Sequence, residues 1–348
     1  MALLGFFRRF LPPFSGFIFA CLLAVVLQII VFSPISPDLL HLPEPSSLAS
    51  LPTNTHLQGV RKLGEDIVKG PEDVCVDGNG ALYTATRDGW IKRMHRDGSW
   101  ENWTMLNSQA LVGITATRRG GIIVCDAEKG LIWVDEDGHP KVLLSHVNGS
   151  QLSVTSTKFD LQNLFLDVLE AKPHGQLLKF DPSSSQTSIV VDKLCFANGV
   201  ALSKDEDFLI VCETWKSRCL KHWLKGDEEG KTEIFVDNLP GGPDNINLAP
   251  DGSFWIALVQ LISERWEFVH ASKAAKHLIA TYPSMIKMVK GAHRKASVVN
   301  VGADGKIIKK LDDPDGKVIS FVTSAFEFEG HLYLGSLSSN FIGKLPLI

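Results

Sequence analysis

GPDNINLAPDGSFWIAL, Gly242 to Leu258, sets an acid and an amide, Asp244 and Asn245, ahead of an apolar run, an Asp-Gly pair and a second apolar run. Apolar runs flanking Asp-Gly are the pattern of a tight β-hairpin. The same pattern recurs in GPEDVCVDGNGALYTAT from Gly70, LVGITATRRGGIIVCDA from Leu111, FANGVALSKDEDFLIVCET from Phe196 and VTSAFEFEGHLYLGSL from Val322. Aligned on the hairpin, the copies are 41 residues apart from Glu72 to Gly113, 85 to Asn198, 47 to Asn245 and 79 to Ser324. Repeats of about 40 to 50 residues are β-propeller blades. The second interval holds two of them, and the last holds one plus a basic, helix-like insert over residues 262–295.

The spacing therefore predicts an all-β, six-bladed β-propeller over residues 59–348, in preference to a sandwich, which needs no such period. First strands of the blades line a propeller's central channel, so residues entering them converge on the axis at one face. The same topology sets the 262–295 insert, the segment from Lys158 to His174, and the turn carrying Glu213, Thr214 and Trp215 around the channel mouth.

The entering residues are Glu72, Asn198, Asp244 and Asn245. Carboxylate and amide oxygens without His or Cys suit Ca²⁺, a hard ion that takes six to eight oxygens. Asp and Asn before a strand also cap turns. Four of them at equivalent repeat positions favour a metal site over four separate caps.

Arg8 and Arg9 precede FSGFIFACLLAVVLQIIVF, Phe14 to Phe32, an uncharged run long enough for a bilayer core. No small-x-small cleavage site follows, which favours an uncleaved signal anchor over a removed signal peptide. Residues 1–32 then form a cytosolic stub and anchor, residues 33–58, rich in Pro, Ser and Leu, a linker, and the body is lumenal, in the endoplasmic reticulum or vacuole. Asn102-Trp103-Thr104 and Asn148-Gly149-Ser150 are glycosylation triplets on that side of the membrane. Cys212 and Cys219 face each other if VCETWKSRCL is a hairpin, an arrangement that fits a disulfide and fits two buried thiols. A net charge of −4, with 21% charged residues, excludes a nucleic-acid-binding field.

GPEDV, FANGVALS, ETWKSRCLKHWL, GGPDNI and HLYLGSL together resemble the plant strictosidine synthase-like proteins, six-bladed propellers grouped with the paraoxonases and the adipocyte plasma membrane-associated proteins. The resemblance runs from about residue 60 to the C-terminus. It implies that Glu72, Asn198, Asp244 and Asn245 fall on the calcium ligands of a paraoxonase-type site, where the ion polarises an ester carbonyl. The expected activity is hydrolysis of a small hydrophobic ester or lactone. The alternative is a non-catalytic lumenal glycoprotein binding a lipid or partner.

Two departures from the family pattern stand out. The family's third blade opens with an F-A-[ND]-D stretch that supplies a further calcium ligand. Here HVNGS at His146 runs through QLSV into TSTKFDLQN, so the third blade is expected to keep only its outer strands and the metal site to lack one protein ligand. Second, Thr323 stands where strictosidine synthase has its catalytic glutamate, and threonine accepts no proton near neutral pH. Amine-aldehyde condensation is accordingly disfavoured. His174 is the one weak candidate for an acid or base, and Glu213, Trp215 and Thr323 are the expected substrate-mouth residues.

Overall fold

Asp77 shows how the hairpins are set: its Oδ1 accepts the backbone N–H of Asn79 and of Ala81, both at 2.9 Å. The turn is thus closed by the side chain that opens it. Asp251 does the same for Ser253 in the stretch quoted above. The computed structural model describes residues 2–40, 51–147, 150–151, 157–159, 163–259, 268–285 and 294–347.

Five four-stranded antiparallel sheets succeed one another, over residues 74–105, 111–144, 197–236 and 242–313, with the fifth combining residues 322–346 and 61–63. In that last blade Arg61–Leu63 is the outermost strand, paired with Ile342–Pro346 so that Leu63 lies opposite Ile342. The ring is closed by joining the two ends of the body in one sheet. Between residues 144 and 197 stand a short ladder, His146–Val147 with Ser150–Gln151, and one two-stranded sheet, Gly175–Asp181 with Gln186–Leu194.

The expectation of six blades is corrected to five four-stranded blades with a two-stranded sheet at the third position. Among the described residues the third position holds only the pair Gly175–Asp181 and Gln186–Leu194 beside the short ladder, in keeping with the expected incomplete third blade. We number the blades one to six, the third being the two-stranded remnant.

The remnant changes the burial of its neighbour. In blade five, every residue of Phe254–Val259 is buried, because both faces of the sheet are covered. In blade two, Ile122–Asp126 and Gly130–Val134 alternate between buried and half-buried residues. Ile122, Val124, Ile132 and Val134 pack with Tyr83 and Ile91 of blade one. Ile123 and Leu131 point from the opposite face, toward the third position.

Side chains stitch successive blades near the axis. Thr214 donates to the Pro243 carbonyl at 2.8 Å, Asn247 to the Ala325 carbonyl at 3.1 Å, and Thr323 to the Glu72 carbonyl at 2.5 Å. Asp73 accepts the Val74 and Ile114 N–H groups, at 2.8 and 2.9 Å, and the Ser324 hydroxyl. The series runs from blade four round to blade two.

A helical cap sits at one face. Helix α1 is Ala2–Phe32, α2 is Leu164–Glu170 and α3 is Lys273–Thr281. Its apolar window, Ser15–Phe32, has mean hydropathy 2.6 and is long enough to cross a membrane. The chain leaving α1 is bonded to the cap: Ser36 N–H donates to Glu170 Oε1 at 3.0 Å, Asp38 N–H to the Glu170 carbonyl at 2.9 Å, and Leu40 N–H to the His270 carbonyl at 3.3 Å. Thr281 on α3 donates to the Ile29 carbonyl of α1 at 3.3 Å. Of the expected 262–295 insert, α3 and the turn Pro283–Met285 are described, and residues 262–267 and 286–293 lie outside the described residues. The linker expected over 33–58 is docked where it is described, with Leu57 fully buried and Asn54 donating to the Lys310 carbonyl.

Candidate metal centre and its cavity

Glu72, Asn198, Asp244 and Asn245 come together at the axis. Asn245 Nδ2 donates to Glu72 Oε1 at 3.0 Å, and Asn198 Nδ2 donates to Asp244 Oδ1 at 2.6 Å and to Thr214 Oγ1 at 3.3 Å. The backbone permits this approach because Gly199 has no side chain. A Cβ there would lie 2.5 Å from the Asp244 carbonyl oxygen and 2.6 Å from the Ile246 nitrogen. Gly335 serves blade one similarly, its missing Cβ falling 2.6 Å from the Glu72 carbonyl oxygen.

Glu72 and Asp244 are 5% and 8% exposed, and Glu72 Oε2 is buried without a hydrogen-bond partner. Burial, then the nearby Asp244 and Asp73 charges, push the Glu72 carboxyl well above its usual range, against the opposing pull of Arg87 and Asn245. Burial lifts Asp244 to about 7, with the Asn198 hydrogen bond and Arg87 pulling it down and Asp73 adding to the rise. Buried carboxylates that resist ionisation are stabilised as anions by a cation between them. Half a turn of either Asn amide exchanges its Nδ2 for its Oδ1. Two carboxylates, one of them with an orphaned oxygen, and two amide oxygens form a donor set that fits a hard divalent ion.

Asp73, absent from the sequence reading, sits beside this group with its oxygens committed to neighbouring blades, and burial raises its pKa. Arg87 is the cation facing Glu72 and Asp244, and burial lowers its pKa while both acids raise it. Its only sequence signal was a place just after the second strand of blade one. A second acidic group, Asp135, Asp137 and His139, lies exposed in a hairpin turn where Asp135 Oδ1 accepts two backbone N–H groups. It is a turn cap.

The axial residues open into a cavity of about 530 Å³ whose lining also includes Phe196, Thr214, Trp215, Cys75 and Cys125. Burial pushes the Cys125 thiol up to about 12 and that of Cys75 upward too, so neither is a ready nucleophile. Trp215, buried, lines the cavity, held by a 2.6 Å bond from its Nε1 to Asp167 Oδ2, and Asp167 takes the Thr157 hydroxyl on its other oxygen.

Glu213, Thr323 and His174 do not line the cavity. Glu213 is 1% exposed and turned into the wall, accepting the Cys195 N–H at 2.8 Å and Arg218 Nε at 2.6 Å. Thr323 is fully buried, its hydroxyl spent on the Glu72 carbonyl. His174 pairs with Glu170 at 2.8 Å, and Lys158 pairs with the same carboxylate at 2.7 Å. Burial raises Glu170, but Lys158, the Ser36 N–H and His174 outweigh it and hold its pKa below the usual range. This cluster fastens the α1 connection to α2.

Cys212 lies opposite Cys219 in blade four, and the two form a disulfide. Asn102 is exposed on Trp100–Met105, its Oδ1 accepting from Lys92 Nζ at 2.9 Å, and Asn148 lies outside the described residues.

Comparison with known proteins agrees with this architecture. A family model described as strictosidine synthase matches residues 147–227, and one described as strictosidine synthase-like, N-terminal, matches residues 50–94. The chain is 32% identical over 373 aligned residues to the Arabidopsis thaliana protein STRICTOSIDINE SYNTHASE-LIKE 4, covering 99% of this chain and 97% of that one. It is 31% identical to the mouse adipocyte plasma membrane-associated protein, over 96% of this chain and 92% of that one. Among solved structures, a Xanthomonas campestris gluconolactonase superposes with TM-score 0.58 at 15% identity, over 91% of this chain and 96% of that one. A calcium-binding protein, regucalcin, from Agrobacterium tumefaciens superposes with TM-score 0.54 at 11% identity, over 82% and 93%. These two likenesses establish the propeller fold.

Proposed function

Since the chain belongs to the strictosidine synthase-like family, we propose that its axial cluster is a Ca²⁺ site at which small hydrophobic esters or lactones are hydrolysed. The observation that carries this reading is the pair of buried carboxylates, Glu72 and Asp244, with Glu72 Oε2 left without a donor. The calcium-binding and gluconolactonase likenesses are consistent with it as fold relatives. Glu72, Asp244, Asn198 and Asn245 would hold the ion, and with no inner strand of blade three among the described residues the site would be one family ligand short. Bound there, Ca²⁺ supplies a Lewis acid for the ester carbonyl and for the charge that develops on its oxygen.

The protein's own groups do the rest of the positioning. Thr323 and Gly335 fix the backbone of Glu72, and Gly199 lets Asp244 approach Asn198. Phe196 and Trp215 give the cavity an apolar wall that favours an uncharged, hydrophobic substrate. Because Thr323 is committed to a backbone carbonyl, the geometry offers no base for amine-aldehyde condensation at that position. Helix α1 would anchor the body on the lumenal side of an endomembrane, with Arg8 and Arg9 in the cytosol.

A second reading, ligand binding without turnover, has one observation in its favour. The titratable side chains among the described lining are Glu72, Asp73, Cys75, Arg87, Cys125 and Asp244, all engaged with one another or held protonated, and none is a histidine. Phenyl acetate and δ-lactone hydrolysis by the full chain, before and after chelation, separates the two readings. Turnover that chelator abolishes and Ca²⁺ restores supports the hydrolase, whereas ligand binding with no turnover under any metal condition supports the second reading.

A further inference from the structure

The face of blade two that a complete third blade would cover is apolar and only half-buried. Ile123, Leu131 and Leu144 line one side of the cavity there, and Leu177, Leu178 and Phe180 of the two-stranded remnant also line it. This cleft and the axial acids are parts of one cavity. A polar head at the axis therefore has an apolar arm directly beside it, between blade two and the two-stranded sheet.

We propose that this cleft binds the aliphatic chain of an amphiphile whose uncharged carbonyl head lies at the axial cluster. Three observations choose that occupant. The cavity, about 530 Å³, has the size of a small-molecule site and is too small for a folded partner. Its charged groups, Glu72, Asp73, Arg87 and Asp244, are gathered at the axis, and the described cleft side is mostly aliphatic and aromatic, with Gln176 and Thr115 its neutral polar residues, a distribution that suits a single-chain amphiphile. The apolar helix α1 also ends on the cap that roofs the mouth: Leu164 of α2 lines the cavity, and Leu166, Trp215, Ile279 and Ile35 pack in one cluster. The ligand source is thus the lipid phase in which α1 would sit. The inference deepens the esterase reading by naming the substrate class, and it rests on that reading only for the position of the head group.

The test reads binding and not turnover, so failure of the hydrolase reading leaves it intact. Methyl ketones with a terminal diazirine and chains of four, eight and twelve carbons are irradiated with the full chain in lipid nanodiscs, and adducts are mapped by peptide mass spectrometry. Each methylene buried in an apolar site strengthens binding about fourfold. Labelling of the Leu131, Leu144 and Phe180 peptides is expected to rise at least tenfold from the four-carbon to the twelve-carbon probe in the unaltered protein. Leu131→Trp, which fills the cleft, is expected to cut the twelve-carbon labelling fivefold or more. Equal labelling at all lengths, labelling confined to α1, or indifference to Leu131→Trp overturns the proposal. Labelling of the cleft by a diazirine-bearing β-strand peptide, with none by the ketones, assigns it to a polypeptide and overturns the proposal too.

Discussion

Asn245 gives its side-chain amide to Glu72 at 3.0 Å across 173 residues of sequence, joining blade five to blade one over the propeller axis. Asn245→Ala removes the one hydrogen bond that the Glu72 carboxylate accepts among the described residues and takes away a candidate ligand oxygen. We expect a stability loss of about 1–3 kcal/mol, the cost of a buried polar group left unpaired. Urea unfolding in chelator measures it, and an unchanged midpoint would show that the pair carries no structural weight.

Both axial acids have folded pKa values above their unfolded ones, Asp244 at about 7 against an ordinary 3.8 and Glu72 also raised well above its own. The folded chain therefore holds more protons than the unfolded chain between about pH 4 and 7, and stability falls as pH rises through that window. In chelator, the melting temperature should be higher at pH 5 than at pH 8. Millimolar Ca²⁺ should raise it more at pH 8, where Asp244 is ionised and free to bind. Melting curves at the two pH values, with and without Ca²⁺, check both signs.

Asp73 is a structural acid beside a functional one. Replacing it with Ala frees the buried Ile114 N–H and the Ser324 hydroxyl, cutting ties from blade one to blades two and six. The expected loss is about 2–4 kcal/mol, more than for Asn245→Ala, since more than one buried partner is abandoned. Hydrogen exchange at Ile114 should quicken in this variant.

Gly199→Ala tests the close approach of blades four and five. Its new Cβ would meet backbone atoms at 2.5 and 2.6 Å, which cannot rotate away. An overpacking cost of about 1–3 kcal/mol is expected, with weakened Ca²⁺ binding because Asp244 is displaced from Asn198. Gly78→Ala, at a turn glycine without positive φ and with no atom near the missing Cβ, separates the close-approach effect from the general effect of replacing a glycine.

Much of the propeller was readable because hairpin turns repeat where blades repeat, and a two-residue alternation around an Asp-Gly pair survives divergence. Glu72, Asn198, Asp244 and Asn245 were readable for the same reason: each enters the first strand of a blade. Asp73 was hidden by its place next to Glu72, where sequence gives no sign that its oxygens turn toward blades two and six. Arg87 and Asp167 were missed because the groups they face, Glu72 and Asp244 for the one and Trp215 for the other, lie on other segments, whereas Glu170 stands four residues before His174, a spacing that the sequence does display. Glu213 and Thr323 misled in the opposite way. Each sits beside the mouth in sequence, yet the alternation of side chains along a strand turns it into the wall. An incomplete blade three was expected from its short sequence, and two strands of it stand among the described residues, but the half-buried face on blade two required the fold.

Calorimetric titration of Ca²⁺ into the chelator-stripped full chain at pH 7.5 tests the metal centre most directly. The account predicts saturable one-to-one binding, weakened at least tenfold by Asn245→Ala and abolished by Asp244→Ala. Absence of binding by the unaltered protein, or binding that Asp244→Ala leaves untouched, would contradict it.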